Sequence, residues 1–363
     1  MKKSNIKTIV LYIAMILIVI LAASALLQNF TNAAKISYSE IIELFEEDKV
    51  KEFSIGANGK LTLKTTDNKV YTRILLDFYT FRQDIDPYLE KGYVPLGLYS
   101  ADPSGDNSVS HALEYYIADH SLSLLAEDLG KKEDAERFRR QSLQYRKYYC
   151  PEYGTLRPIT SEGVFLAPFN PRQGENFEPV PGFHEGSAWN YTFYVPHDVP
   201  GLASMMGGRK AFVNKLQKVF DEGLYDPANE PDIAYPYIFS YFKGEEWRTQ
   251  KLVSELLDKH YTTRPDGIPG NDDAGTMSAW AVFSMMGFYP DCPGTPSYTL
   301  TTPRFDRVEI GDCLIITREG DGNLIRSVTL GGRRTGYRVS HSDLLSGARL
   351  HYKCGGAQPV VNQ

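Results

Sequence analysis

The stretch from Arg264 to Trp280 reads RPDGIPGNDDAGTMSAW and places a polar loop directly before a predicted helix. Thr276 can cap that helix, because apolar side chains recur at helical spacing after it. A carboxylate at a helix N-terminus is stabilised in its charged form by the free backbone amides and the helix dipole. Asp272 and Asp273, with Asn271 beside them, are therefore suited to be metal ligands or a general base. A solvated capping loop is the alternative, since Asp and Asn cap helices widely.

The composition excludes several classes of function. The chain has 363 residues, enough for two or three domains, and its net charge of −6 gives no indication of nucleic-acid binding. Aromatic residues make up 12% of the chain, which fits either surfaces that stack on sugars or a Tyr-rich helical core. The four cysteines are widely spaced without a CxxC motif, so neither a zinc knuckle nor a dense disulfide framework is indicated.

The N-terminal segment predicts a membrane anchor. The run from Thr8 to Leu27 carries no charge and is long enough to span a bilayer as a helix. Three lysines precede it, so the positive-inside rule keeps the N-terminus in the cytoplasm and places the main domain outside. A signal peptide is the alternative, because small residues suited to cleavage follow the run. The run is longer than a usual signal-peptide core, so we predict an uncleaved anchor over residues 1–34.

Residues 35–72 read as a small α+β module. A short amphipathic helix begins at Ser39, and KVKEFSI and KLTLKTT alternate like two strands joined at Asn58-Gly59. A membrane helix followed by ISYSEIIELFEEDKVKEFSI resembles the start of the FtsH-type membrane-bound AAA zinc metalloproteases. The chain contains no GxxxxGK[ST] phosphate loop, and HEGSA at residues 184–188 lacks the second His of HExxH. Neither ATPase nor protease activity is predicted.

Residues 73–297 are predicted to be mainly helical. Long acid-bearing loops between paired helices indicate an α/α toroid with its functional site at one rim. From Tyr298 onward the helical period ends, and short strand-like runs punctuated by glycine predict a small β segment over residues 298–363. The helices are predicted at 108–129, 133–149, 209–220, 233–241, 247–261 and 276–288, and the strands at 307–310, 313–317, 327–330 and 337–339.

A second acidic position lies in GFHEGSAWNYTFYVPHDVPGL, residues 182–202. Glu185 precedes an aromatic cluster that includes Trp189. Burial against such rings would desolvate the carboxyl group and raise its pKa, as a general acid requires near neutral pH. The alternative is a glutamate bonded to backbone amides while Trp189 packs in the core.

A third stretch, ANEPDIAYPYIFSY at residues 228–241, offers the Asn229 carbonyl and the Glu230 carboxylate as hard oxygen ligands of the kind that calcium selects. An ordinary helix start with Pro231 in the first turn is the alternative reading. The segment GEEWRTQKLV, which begins at Gly244, reads as a structural helix start.

Together these stretches resemble glycoside hydrolase family 92, the calcium-dependent exo-acting α-mannosidases. The resemblance covers about residues 79–350 and also includes LEKGYVPLGLYSADPSGDNSVSHALEYYIADHSL, MMGGRKAFVNKL and MSAWAVFSMMGFYPDCPG. It implies a partial (α/α)6 toroid and an inverting hydrolysis of α-linked mannosides or N-glycan-type oligosaccharides, at a mannose whose hydroxyls bind Ca²⁺. The roles that it implies are general acid for Glu185 and base for Asp273, with Asn271 or Asp272 assisting. It also implies substrate contacts for Trp189 and Asn271, and positions at the calcium ion for Asn229, Glu230 and Asp273.

The pattern departs from the family at the N-terminal side. Family members carry a β-sandwich and further toroid helices before the part that matches, so the strands after Tyr298 are expected to lack their packing partner. Apolar helix faces are expected to be exposed, which favours self-association. Two alternatives follow: a non-catalytic fusion or remnant that binds mannosides, and a membrane-tethered interaction protein associated with an FtsH-type protease. An assembly error that joined two reading frames near Thr72 is a further possibility.

Overall fold

The computed structural model describes residues 34–36, 40, 41, 44, 47, 49–56, 60–74, 88, 90–98, 105–174, 178–346 and 349–356. The predicted anchor from Thr8 to Leu27 and the predicted Asn58-Gly59 turn lie outside them. Within the described ranges, no helix has both the length and the apolar character needed to cross a membrane. The chain divides into two compact units, residues 1–86 and 87–363.

The first unit contains a four-stranded sheet. Its strands are β1 (Ala34–Lys35), β2 (Val50–Ile55), β3 (Lys60–Thr65) and β4 (Val70–Ile74), in the order β1-β4-β3-β2. The antiparallel pairing of β2 with β3 confirms the predicted strand pair. Leu61 and Leu63 alternate toward one buried face, where they pack with Ile36 and Ile41. β4 continues past Thr72, the residue at which the sequence analysis predicted the end of this module.

The second unit begins with helices and a short hairpin. The strands of the hairpin are β5 (Tyr149–Cys150) and β6 (Thr155–Leu156). The helices are α1 (Ser108–Asp128), α2 (Lys132–Ser142), α3 (Ala188–Thr192), α4 (Val199–Met205), α5 (Arg209–Asp221), α6 (Tyr235–Ile238), α7 (Glu246–His260), α8 (Thr276–Met286) and α9 (His341–Leu345). α1 packs on α2, α4 on α5 and α7 on α8, so consecutive helices form pairs as the sequence predicted.

Two predicted helices are shorter in the structure. The helix predicted at 133–149 ends at Ser142 and continues as a 3-10 turn over Leu143–Lys147. Tyr148 leaves the helix because its hydroxyl both accepts a hydrogen bond from the Val94 amide and donates one to the Val94 carbonyl, each at 2.8 Å. The helix predicted at 233–241 is reduced to α6 and a 3-10 turn, Phe239–Tyr241, since the preceding residues form a loop around buried Asp232.

The core of the helical part is aromatic. Its largest fully buried side chains are tyrosines, phenylalanines and a tryptophan, among them Tyr116, Tyr148, Phe193, Phe212 and Trp280. Much of the high aromatic content is therefore used in packing. Leu122 and Leu125 of α1 are exposed, as is Leu129, which directly follows the helix.

The β segment begins at Phe288, ten residues earlier than predicted. Its strands are β7 (Phe288–Tyr289), β8 (Ser297–Leu300), β9 (Arg307–Ile310), β10 (Leu314–Glu319), β11 (Leu324–Leu330), β12 (Arg333–Arg334), β13 (Arg338–Ser340) and β14 (Arg349–Gly355). One sheet has the order β12-β11-β14-β10-β9, and the other has the order β13-β8-β7. β10 and β14 are parallel neighbours.

The expectation that these strands lack a packing partner is wrong. Residues of both sheets, such as Leu300, Ile316 and Tyr352, share one buried cluster, and Phe283 and Met286 of α8 pack against it. The apolar face of the larger sheet is therefore covered within the second unit.

A buried histidine lies where the helical part packs against the loop before α4. His197 donates from Nε2 to the Ser142 carbonyl at 2.9 Å, while its buried Nδ1 atom has no hydrogen-bond partner among the residues that the structure describes. The ring of His120 lies 5.5 Å away. Burial lowers the pKa of His197 to about 4, because a proton on Nδ1 would place a charge where nothing accepts it.

The depressed pKa of His197 predicts a loss of stability in mild acid. The folded-state pKa of about 4 is below the ordinary value of 6.5, so the neutral ring stabilises the fold above pH 6.5 and this contribution is lost as the pH falls toward 4. We expect urea unfolding to show a loss of about 2 kcal/mol from this group between pH 7 and pH 5. His197→Gln should flatten that part of the profile, and replacement of exposed His341 by Gln should leave it unchanged. Equal profiles for the two variants would contradict this assignment.

Candidate active site

Three loops of the second unit bring predicted site residues together. The Asn229 side-chain amide donates to the Glu185 carbonyl at 2.5 Å, which joins the loop that carries Asn229 and Glu230 to the loop that carries Glu185. The Asp273 carboxylate lies within hydrogen-bonding reach of Glu230, and the charge of Glu185 also acts on Glu230. We refer to Glu185, Glu230 and Asp273 as the acid cluster. Residues far apart in the chain therefore meet at one place.

The Glu185 loop is fixed by the first turn of α1. The Gly182 carbonyl accepts hydrogen bonds from the amides of Val109 and Ser110 at 2.9 and 3.1 Å, which satisfies two donors at the helix start. The His184 amide donates to the Ser110 hydroxyl at 2.9 Å. These bonds hold the backbone on both sides of Phe183, so the position of Glu185 depends on α1.

The structure places Glu185 differently from the sequence prediction. Its side chain is 58% exposed, and its Oε1 atom lies 3.7 Å from Nε2 of His184. The predicted burial of Glu185 against aromatic rings is wrong, because those rings turn into the core. Trp189 is buried, with Nζ of Lys215 lying 4.3 Å from its ring centroid. The Glu185 carboxyl group is open to solvent and hence to a substrate oxygen.

A buried polar network ties the Glu185 loop to the Glu230 loop. Asp232 is fully buried and accepts hydrogen bonds from the Asn190 side-chain amide at 2.8 Å and from the Asp226 backbone amide at 2.7 Å. The side-chain oxygen Oδ1 of Asn190 in turn accepts from the Ser187 backbone amide at 2.9 Å. Burial raises the pKa of Asp232 well above its ordinary value. Sequence reasoning missed Asn190 and Asp232, although both follow predicted site residues closely.

The two adjacent aspartates of the acidic loop before α8 make different contacts. The Asp272 carboxylate accepts from the Ser278 backbone amide at 2.8 Å and therefore caps α8. The predicted capping role of Thr276 is wrong, because α8 starts after Gly275 and the Thr276 hydroxyl instead donates to the Asp273 carbonyl at 2.7 Å. Asn271 is exposed on the same loop. The Asp273 carboxylate is left to face Glu230.

The backbone of this loop is strained. Asp273 and Ala274 both adopt left-handed conformations, with φ of +45° and +54°. Such a conformation costs a residue other than glycine about 1 to 3 kcal/mol and persists where the surrounding structure imposes it. Glu185 is also left-handed, with φ of +51°. Two members of the acid cluster are thus held in unusual backbone conformations, as is common at functional sites.

The carboxylates of the cluster act on one another electrostatically. Burial raises the pKa of Glu230, and the charges of Asp273 and Glu185 raise it further. The sequence analysis did not select Glu114, whose pKa is raised by burial and by the charge of Glu230, or Tyr194, whose hydroxyl group bonds to Glu114. Within the described ranges, no salt bridge joins Glu230 or Asp273 to a basic side chain.

Comparison with known families matches residues 39–356 to the glycosyl hydrolase family 92 catalytic domain. The chain belongs to glycosyl hydrolase family 92. The match includes most of the small module whose sequence resembles FtsH-type proteases, and that resemblance stays a prediction. The four stretches identified in the sequence all lie inside the matched range.

Solved structures and one curated protein show similarity to this family 92 chain. A family GH92 alpha-mannosidase of Bacteroides thetaiotaomicron in complex with mannoimidazole is 28% identical, with a TM-score of 0.69 over 75% of this chain and 38% of that one. A family GH92 inverting mannosidase of Bacteroides thetaiotaomicron VPI-5482 is 28% identical, with a TM-score of 0.67 over 76% and 40%. An uncharacterized secreted glycosidase of Arthroderma benhamiae is 27% identical over 60% and 30%. The chain spans 40% or less of the length of these relatives.

The predicted ligands of this family 92 chain fit calcium in their chemistry. The Asn229 amide and the Glu230 and Asp273 carboxylates are hard oxygen donors, and Ca²⁺ takes six to eight such oxygens. In the part of the chain that the structure describes, no group of three His, Cys, Asp or Glu side chains is arranged to hold a metal by itself. Two carboxylates and an amide would form part of a coordination shell, with the other positions open to water or sugar hydroxyls.

Gly270 allows the acidic loop to approach the Glu230 loop, and replacing it tests that approach. Its φ is +75°, and a Cβ atom there would lie 2.8 Å from Cβ of Ala228. We expect Gly270→Ala to push the loops apart and to lower kcat/KM for glycoside hydrolysis at least about tenfold. Small displacements of reacting groups lower the rate of a reaction strongly. Gly223→Ala is the matched control, since φ is +67° there with nothing within 4 Å of the added Cβ. Equal activity in the two variants would show that the contact with Ala228 is unimportant.

Proposed function

We propose that this chain is a glycosidase that hydrolyses α-linked mannosides with inversion at the anomeric carbon. The observation that carries the proposal is the meeting of Glu185, Glu230 and Asp273 from three separate loops in a family 92 chain. The printed descriptions of two similar structures, an alpha-mannosidase and an inverting mannosidase, support the substrate and the stereochemistry.

In the proposed reaction Glu185 donates a proton to the leaving glycosidic oxygen as the bond to the anomeric carbon breaks. Asp273 accepts a proton from a water molecule, whose oxygen attacks the anomeric carbon from the opposite face. Inverting enzymes hold such carboxyl groups about 6.5 to 9.5 Å apart, with the water between them. Asp272 holds the loop through its cap on α8 and so positions Asp273. Exposure of Glu185 gives the leaving oxygen access to the acid.

The cluster also suggests how the sugar is oriented. A Ca²⁺ ion would be held by Asn229, Glu230 and Asp273. Hydroxyl oxygens of the sugar would coordinate the same ion. Exposed Asn271 remains the proposed substrate contact on the acidic loop. Trp189 is unsuited to stacking on a sugar, because its ring is buried beneath Lys215.

Mannose release and its dependence on calcium test this proposal. The chain is incubated with α-linked mannobiose, and NMR records the anomer that appears first. We expect β-mannose, the product of inversion, and a loss of at least about 100-fold in rate on adding a chelator, because the paired carboxylates lose their counter-charge. Calcium should restore the rate. Calcium-dependent mannoside binding without release would instead support the non-catalytic reading.

We also propose that the chain is a single-pass membrane protein with its main unit outside the cytoplasm. The uncharged run from Thr8 to Leu27 and the preceding lysines motivate this proposal. The full chain should remain with the membrane fraction after alkaline carbonate extraction, and deletion of residues 1–34 should release it. Release of the full chain by carbonate would rule out the anchor.

A further inference from the structure

The asparagine at the start of α1 does not cap its own helix. Asn107 is the N-cap residue of α1, where an asparagine side chain usually accepts a hydrogen bond from a following backbone amide. Here the Asp106 carboxylate accepts from the Ser108 amide at 3.0 Å, and the Gly182 carbonyl accepts from the next two amides. The Asn107 side chain makes no capping hydrogen bond. It is therefore available for a different partner.

That partner is the ring of His184, the residue before the proposed acid. Nδ2 of Asn107 lies 3.2 Å from Nδ1 of His184, so the amide donates to this ring nitrogen. A neutral imidazole carries its proton on one of its two nitrogens, and the nitrogen that accepts a hydrogen bond is the one without the proton. The contact with Asn107 therefore selects the tautomer of His184 in which Nε2 carries the proton.

The backbone of His184 is held as firmly as its ring. Its amide donates to the Ser110 hydroxyl at 2.9 Å, and its carbonyl accepts from the Tyr191 hydroxyl at 2.6 Å. With Nδ1 bonded to Asn107, the polar atom of His184 that remains is Nε2. It lies 3.7 Å from Oε1 of Glu185. Three contacts from α1 and α3 thus aim an N–H group at the proposed acid.

The Glu185 carboxyl group has little else to orient it. Its side chain is 58% exposed, and among the described residues its one hydrogen-bond or ion-pair contact is with His184. The distance of 3.7 Å is longer than a hydrogen bond. Contacts of catalytic groups are often long without substrate and shorten when it binds. Rotation of the exposed Glu185 side chain is enough to close this one.

We propose that His184 is a positioning residue for Glu185 and that Asn107 holds it in the required tautomer. The inference rests on the proposed function, in which Glu185 protonates the leaving oxygen. The Nε2–H group donates to Oε1 of the protonated carboxyl group, which leaves the acidic proton on Oε2. As this proton passes to the leaving oxygen, Glu185 becomes a carboxylate and the hydrogen bond from Nε2 becomes charge-assisted and stronger. His184 keeps its own proton and favours the transition state over the ground state.

Two polar substitutions of His184 separate the roles of its ring nitrogens. His184→Gln places an amide donor near the position of Nε2, whereas the shorter side chain of His184→Asn places it near the position of Nδ1. We expect His184→Asn to lower kcat for α-linked mannobiose about ten- to 100-fold, because the reacting carboxyl group loses its orientation. His184→Gln should recover kcat to within about threefold of the native value, because the donor toward Oε1 is restored. His341→Asn, an exposed histidine outside the acid cluster, is the matched control and should leave kcat unchanged.

A second substrate distinguishes positioning of the acid from a general defect of the site. The leaving group of 2,4-dinitrophenyl α-mannoside needs no proton, so His184→Asn should lose about threefold or less in kcat on it. Equal losses on the two substrates would overturn the proposal. Asn107→Ala removes no capping bond and should lower kcat for mannobiose about three- to tenfold, because the tautomer is no longer fixed. Asn323→Ala, an exposed asparagine outside the acid cluster, should have no effect.

NMR of the histidine ring nitrogens tests the tautomer without turnover, with His184→Asn used to assign the signals. We expect neutral His184 to carry its proton on Nε2 and to show a more even mixture of tautomers in Asn107→Ala. A proton on Nδ1 would overturn the proposal. Retention of the native kcat by His184→Asn, while Glu185→Gln loses activity, would overturn it as well. If Glu185→Gln also retains the native kcat, the proposed acid itself is wrong and this inference falls with it.

Discussion

Glu185→Gln is expected to lower kcat for α-linked mannobiose by about 10² to 10⁴-fold, the contribution typical of a general acid. The variant retains the shape of the side chain and removes the transferable proton. Folding should be unaffected, because the side chain is 58% exposed and the contact with Asn229 uses the backbone carbonyl of Glu185. Steady-state kinetics and a thermal unfolding curve measure the two effects separately.

A substrate with a better leaving group identifies the role of Glu185. Dinitrophenolate leaves without a proton, so the same variant should lose about tenfold or less on 2,4-dinitrophenyl α-mannoside. Glu255→Gln is the control, because its side chain is exposed to a similar degree, 59%, and lies outside the acid cluster. Equal losses of kcat on the two substrates would show that Glu185 does not act as the acid.

Trp280→Ala is expected to produce the largest loss of stability, about 3 to 5 kcal/mol in urea unfolding, as for other buried tryptophans. The Trp280 ring is fully buried on α8 and stacks on Tyr261, with ring centroids 5.3 Å apart. Its Nε1 atom donates to the Ile233 carbonyl at 2.9 Å. The side chain thus connects the helix after the Asp273 loop to the segment that follows Glu230, so activity should fall as well.

Trp247→Ala provides the matched comparison for that result. Trp247 is only half-buried, and its ring contacts the Arg248 guanidinium group at 4.7 Å. Its loss should cost about 1 kcal/mol or less. Trp280→Phe keeps an aromatic ring but leaves the Ile233 carbonyl without its donor. We expect Trp280→Phe to lose a larger fraction of its activity than of its free energy of unfolding. Similar unfolding midpoints for Trp280→Ala and Trp247→Ala would contradict the assigned role of Trp280.

The sequence predicted the helices whose pattern repeats over several turns. α1, α5, α7 and α8 begin and end within about two residues of their predicted limits, because their apolar spacing is a local property of the chain. It missed β7, β8, β14 and α9, which are short or are determined by pairing with distant strands. The apparent lack of a packing partner for the β segment was wrong for a similar reason. The partner is the face of α8 and a second sheet, neither of which a local pattern identifies.

The candidate site divides in the same way. Glu185, Asn229, Glu230 and Asp273 could be chosen from the sequence, because their motifs are continuous and occur in the order typical of the family. Their surroundings could not be chosen. The pairing of Asn190 with Asp232 spans 42 residues of chain, and the meeting of Glu230 with Asp273 spans 43.

The sequence by itself therefore determined the family and the main helices and selected the candidate acid residues, since these depend on residue type and short-range spacing. Only the tertiary structure decided that Glu185 is open to solvent, that Asp272 rather than Thr276 caps α8, and that Trp189 belongs to the core. Each of these depends on which distant groups compete for the same side chain or backbone amide. Such competition is resolved only when the loops are brought together by packing.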